Sequence, residues 1–190
     1  MESLEQTKSF LFKHYENGNQ HRLRHILGVA EMAKYLAIKY NCDPIKAQIA
    51  AYMHDYAKYD SIEDIKKYLT LTEIEECEKF PFLYHAYGSA YIYKKYIGND
   101  EDVFNAIYNH VFGRCNMSLL EQIIMISDYT EINREYPDCI KCREILLSDG
   151  IDKAILYSLE NTINHVKEKN ELPHPRQLEV YREYLNKVGK

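Results

Sequence analysis

The placement of glycine and proline constrains this chain more than any other feature. Only seven glycines and five prolines occur in 190 residues, and they fall between segments of helical rather than alternating periodicity. The spacing predicts helices over 3–16 and 20–40, parted by Asn17-Gly18-Asn19. In the second of these, Leu23, Ile26, Leu27, Ala30 and Ala37 fall on or near one face. Asp43-Pro44 supplies an N-cap followed by proline at the first helical position, opening a helix that carries His54-Asp55. Ser61–Asp64, Thr72–Glu75 and Ser118–Glu121 read as capping boxes or their acidic equivalents. Pro81 ends a short acidic helix. Further helices are predicted over 83–97, from Asp100 to Gly113, and over 118–132, 138–147, 151–168 and after Pro175. No strand pattern, repeat or low-complexity linker interrupts them, so the expectation is an all-α helical bundle forming a single domain over 1–190.

Composition narrows the function. Hydrophobic residues at 46% and charged residues at 28% are the balance of a globular protein. A formal charge of −5 argues against binding a nucleic acid polymer without regard to sequence, though not against a local basic pocket. No apolar run has signal-peptide or membrane-span length, and the expected location is cytoplasmic, with no membrane partner. Five cysteines then read as reduced thiols, with Cys139 and Cys142 one helical turn apart. The eighteen tyrosines read as packing at the core boundary, and the acidic run Glu73 to Glu78 as a solvated helix face.

The chemistry begins at Ala50-Ala51-Tyr52-Met53-His54-Asp55, where a carboxylate stands in apolar surroundings. Burying it costs several kcal/mol unless a positive partner meets it. His54 is a poor one, because adjacent helix residues point about 100° apart. His25, His85 and His110 likewise lie beside apolar residues, and Asp128 ends the run Ile123-Ile-Met-Ile-Ser-Asp128. His14, His21 and His165 sit in polar stretches and are left as surface residues. Four imidazoles and two carboxylates drawn from five helices make a poor core and a good metal site. That donor set suits iron, manganese or zinc, and the absence of thiolates argues against a structural zinc cage. Arg22 lies three residues before His25, and Lys58 follows His54 by four, so each cation shares a helix face with a proposed ligand. A metal flanked by fixed cations is what phosphoryl transfer requires. Arg114 and Arg134 lie just beyond ligand-bearing helices, where cations also serve helix dipoles and salt bridges.

In this order, His25, His54-Asp55, His85, His110 and Asp128 resemble the HD-domain metal phosphohydrolases. Four stretches resemble the family's YqeK-like branch of symmetrical bis(5′-nucleosyl)-tetraphosphatases. They are Arg22-Leu-Arg-His25-Ile-Leu-Gly-Val29, His54-Asp-Tyr-Ala-Lys58, Asn109-His110-Val-Phe-Gly113-Arg114-Cys-Asn-Met117-Ser118 and Ser127-Asp128-Tyr129-Thr-Glu131-Ile-Asn-Arg134. The resemblance spans about residues 20 to 185. It implies an HD fold, one or two ions with iron first, and cleavage of diadenosine tetraphosphate into two ADP. It also implies His25, His54, Asp55 and Asp128 as ligands of the principal metal, and His85 and His110 on a second metal or the phosphates. Arg22, Lys58 and Arg134 would contact phosphates, Asp55 or Asp128 would orient the water, and His174 would lie beside the nucleotide. Val111 and Ile132-Asn133 depart from the branch's usual residues, which bears on fine substrate preference. Two alternatives stay open: an HD hydrolase of other nucleotides, and a non-catalytic nucleotide-binding module. The oligomeric state, a homodimer included, is also open.

Overall fold

The computed structural model describes residues 3–189, which form eleven α-helices and no strand. They are α1 (Leu4–Tyr15), α2 (Gln20–Lys39), α3 (Pro44–Met53), α4 (Ile62–Lys66), α5 (Leu71–Lys79) and α6 (Leu83–Tyr96). There follow α7 (Glu101–Asn109), α8 (Leu119–Thr130), α9 (Pro137–Ser148), α10 (Ile151–Glu168) and α11 (Pro175–Val188). Among these residues no helix is long and apolar enough to cross a membrane.

α2 packs against α3 and α8, and α7 closes the group by lying on α3, α6 and α8. α1 covers α3, α4 and α5 sit on α6, and α9 and α10 build a layer against α8, with α11 packed on α10. Apolar residues from α1 to α11 join in one contiguous buried cluster, with Leu11, Ile26, Leu36, Met53, Ile107 and Ile123 fully enclosed. Each such side chain contributes about 1.5–3 kcal/mol on burial. Tyr87, Tyr93 and Tyr184 are also enclosed, deeper than the core boundary the sequence suggested.

Local signals work largely as read. Asp43 accepts hydrogen bonds from the Ile45 and Lys46 N–H groups, with Pro44 at the first helical position. Ser118 and Glu121 form a reciprocal capping box on α8. Three expectations are corrected. The acidic helix starts from a box of Thr70 with Glu73, not Thr72 with Glu75; the segment Thr70-Leu-Thr72-Glu-Ile-Glu75 holds two overlapping boxes, and the first one forms. The run Glu73 to Glu78 is not one solvated face. Glu73 accepts hydrogen bonds from Tyr91 and Tyr108, and Glu76 from Tyr87 and Arg176. Finally, α3 ends at Met53 and α7 at Asn109, so His54 and His110 are C-cap residues and Asp55 lies in a turn.

Candidate metal centre

Those helix ends make the site. The His54 Nδ1–H donates to the Ala51 carbonyl at 2.7 Å, and the His110 Nδ1–H donates to the Ile107 carbonyl at the same distance. A carbonyl only accepts, so both rings must carry their proton on Nδ1 and present the Nε2 lone pair inward. The turn that carries Asp55 is pinned from two sides. Tyr15 on α1 donates its hydroxyl to the Asp55 carbonyl at 3.1 Å, and the Ala57 N–H donates to Ser89 Oγ on α6 at 3.0 Å.

Asp55 is the hub. Its Oδ1 lies 2.9 Å from His85 Nε2 and 3.8 Å from His110 Nε2. Its Oδ2 lies 3.6 Å from His54 Nε2, 3.9 Å from His25 Nε2 and 2.6 Å from Arg22 Nη1. Asp128 Oδ1 lies 3.0 Å from His25 Nε2, 3.9 Å from His54 Nε2 and 2.7 Å from Arg134 Nη2. The donor atoms fall into three overlapping triplets, each within 4.8 Å: His25-His54-Asp55, His54-His110-Asp128 and Asp55-His85-His110. All six sequence-predicted ligands therefore converge.

Burial works against ionising Asp55, yet His54, His85 and Lys58 hold its carboxyl well below the usual carboxylate range. Burial opposes Asp128 in the same way, and Arg134 and His25 overcome it. Desolvation pushes His85 and His110 each down to about 4, so both are neutral at pH 7 and able to ligate. His54 Nε2 and His25 Nε2 are buried without a hydrogen-bond partner, and the carboxylate oxygen beside His25 Nε2 is Asp128 Oδ1 at 3.0 Å. A buried, unpaired imidazole nitrogen costs roughly 1–3 kcal/mol. An ion bound there would supply what both nitrogens lack, and the donor set fits a borderline or hard cation.

The sequence reading gave Glu131 no role. It is buried at the C-cap of α8, in extended backbone, with Oε1 3.2 Å from His25 Nδ1. Its Oε2 accepts from the Asn133 N–H and side-chain amide at 2.7 and 2.9 Å. It thus orients the ring whose Nε2 faces the cluster. Gly28 makes room for it, since a Cβ there would lie 2.2 Å from Glu131 Oε2.

A cleft of about 270 Å³ opens onto Asp55, Lys58, His85, His110 and Asp128, with Phe82 at its rim. Beside it a cavity of about 550 Å³ reaches His21, Arg24, His25 and Tyr136, and Arg22 and Arg134 line both. Lys58 Nζ stands 3.2 Å from His85 Nε2 and 3.6 Å from Asp55 Oδ1, so three cations ring the cluster.

Residues 22–133 match the model of the HD domain, a span that runs from Arg22 past Asp128 and encloses all six converging side chains. This chain belongs to the HD-domain family. Its HD relatives include the symmetrical bis(5′-nucleosyl)-tetraphosphatase of Halalkalibacterium halodurans, 39% identical over 87% of this chain and 90% of that one. The enzyme of the same name from Bacillus subtilis is 34% identical over 85% and 88%. A crystal structure of a predicted HD superfamily hydrolase involved in NAD metabolism, from Clostridium acetobutylicum, superposes with a TM-score of 0.85 at 35% identity. It covers 98% of this chain and 99% of that one.

Other sequence candidates lie apart from the HD cluster. Arg114 makes a two-pronged pair with the buried Glu121 at 2.6 and 2.8 Å, and so neutralises a core carboxylate. His174 caps α11, accepts from the Arg176 N–H and faces Glu76 at 3.1 Å, between Phe80 and Phe112; it does not line the cleft. His14 stacks on Tyr56 near Asp60, and His165 is exposed. Cys139 and Cys142 are buried and belong to none of the three triplets, and Cys142 donates to the Ala154 carbonyl.

Proposed function

We propose that this HD-domain chain hydrolyses diadenosine tetraphosphate symmetrically, giving two ADP, with iron as its preferred ion. The observation that carries the reading is the pair of unpartnered Nε2 atoms, His25 and His54, facing Asp55 and Asp128 inside three cations. The naming of the tetraphosphatase relatives supplies the substrate class.

His25, His54, Asp55 and Asp128 hold the principal ion, while His85 and His110 take a second ion or phosphate oxygens. When bound, the metal supplies Lewis acidity and a water of lowered pKa. The side chains do the rest. Arg22 and Arg134 lie on Asp55 and Asp128, at the junction of the cleft and the neighbouring cavity, so turning outward puts their guanidinium groups on the polyphosphate bridge. Lys58 meets an equatorial phosphate oxygen beside His85. The second oxygen of Asp55 or Asp128 accepts a hydrogen bond from the attacking water and sets its line of approach. His174 supports α11 from outside the cleft.

The test pairs Asp55→Ala with His14→Ala, which lies away from the cluster. Asp55→Ala should lose both bound metal and hydrolysis of diadenosine tetraphosphate, and His14→Ala should keep both. Full turnover by metal-depleted Asp55→Ala protein would sink the reading.

A further inference from the structure

The larger cavity touches only one of the six proposed ligands, His25, yet shares Arg22 and Arg134 with the cleft. A symmetrical cut leaves two equal halves, so a substrate bound across the cluster must extend away from it in both directions. Two adjoining cavities are open to it, one on the cluster and one beside it. At about 550 Å³ the larger falls in the range of small-molecule sites. Each cavity carries one strongly exposed aromatic ring: Phe82, 63% exposed, on the cleft, and Tyr136, 70% exposed, on its neighbour. Tyr136 stands at the N-cap of α9, and its side chain makes no capping bond there.

The lining charge suits an anion. Arg24 is exposed and makes no ion pair with any described carboxylate, and His21 stands beside it. Of the two acids in the lining, Glu131 is already engaged by His25 and Asn133, which leaves Glu135 as the one opposing charge. Stacking on an aromatic face tolerates any base, and arginine suits phosphate geometry.

We infer that the cavity beside α2 holds the second nucleoside half of a dinucleoside polyphosphate. Tyr136 stacks its base, and Arg24 and His21 bind its outer phosphates. Arg22 and Arg134 grip the bridge where it passes from one cavity to the other. The inference rests on the tetraphosphatase reading, and its test separates the two.

Calorimetric titration of the metal-loaded protein with ADP reads the cavity without turnover. Two ADP per chain are expected, falling to one in the double variant Tyr136→Ala/Arg24→Ala; both side chains are exposed, so the variant should fold. One ADP on the unaltered protein, or two retained by the variant, overturns the inference. Kinetics give a second readout, because adenosine 5′-tetraphosphate has no second base. Tyr136→Ala should shrink the kcat/KM preference for diadenosine tetraphosphate over that compound about tenfold, the scale of one lost base stack. Equal slowing of both substrates overturns the subsite while leaving the tetraphosphatase reading intact. If the unaltered protein yields no ADP from diadenosine tetraphosphate, that reading falls, and the ADP stoichiometry still decides the cavity.

Discussion

At the scale of single residues, the centre depends on groups that touch no substrate. Glu131 sets the His25 ring, so Glu131→Ala should weaken metal binding about 10- to 100-fold in a metal-titration assay. Gly28→Ala should do the same without removing a ligand, because its Cβ would displace the Glu131 carboxylate. Unchanged affinity in both variants would show that His25 needs no such support. Lys58 predicts the opposite split. Lys58→Ala should keep its metal but lose about ten- to more than a hundredfold in kcat/KM, the equivalent of a charge-assisted contact of about 1.5–3 kcal/mol. Joint loss of metal and activity would make Lys58 a support for Asp55. The six proposed ligands were legible because ionisable residues in apolar runs demand an explanation. Glu131 was not, because the periodicity carried the expected helix on to 132, whereas Glu131 is the C-cap of α8 and turns its carboxylate to His25 from extended backbone.

At the scale of elements, five of the six proposed ligands lie within one turn of a helix end, and His25 lies in the second turn of α2. Helix ends let side chains from α2, α3, α6, α7 and α8 meet without forcing five axes into one crossing. Sequence periodicity placed the right helices but ran two of them on through His54 and His110. Nothing in the chain marks those stops: no glycine or proline stands at either, and Gly113, at φ +69°, follows the second by three residues. The short α5 is tied to α6 and α7 through Glu73, whose carboxylate accepts from Tyr91 and Tyr108. Burial opposes its ionisation, but these donors and Thr70 hold its pKa below the ordinary 4.5. The folded chain therefore binds this proton less readily than the unfolded one. The stabilisation is fully present above about pH 4.5 and is lost as pH falls below it. Urea midpoints taken on both sides of pH 4.5 should fall more steeply with acid for the unaltered protein than for Glu73→Gln. Parallel curves would show that the tyrosines do not discriminate between the charged and neutral forms.

At the scale of the whole molecule, the bundle gathers the His/Asp cluster from α2, α3, α6, α7 and α8 and leaves two cavities at it. The all-α class and nearly every helix followed from caps, punctuation and period, since each is a local property. The shared wall of Arg22 and Arg134 between two cavities was not readable, because it depends on how the loop after α8 lies against the start of α2. On the proposed reading, that wall lets the bridge of a dinucleoside polyphosphate cross the cluster at its middle. The most direct measurement is chromatography of the nucleotides released by the metal-loaded protein during partial digestion of diadenosine tetraphosphate. ADP should be the sole product, with none formed after metal removal. AMP together with ATP, or turnover that survives metal removal, would contradict it.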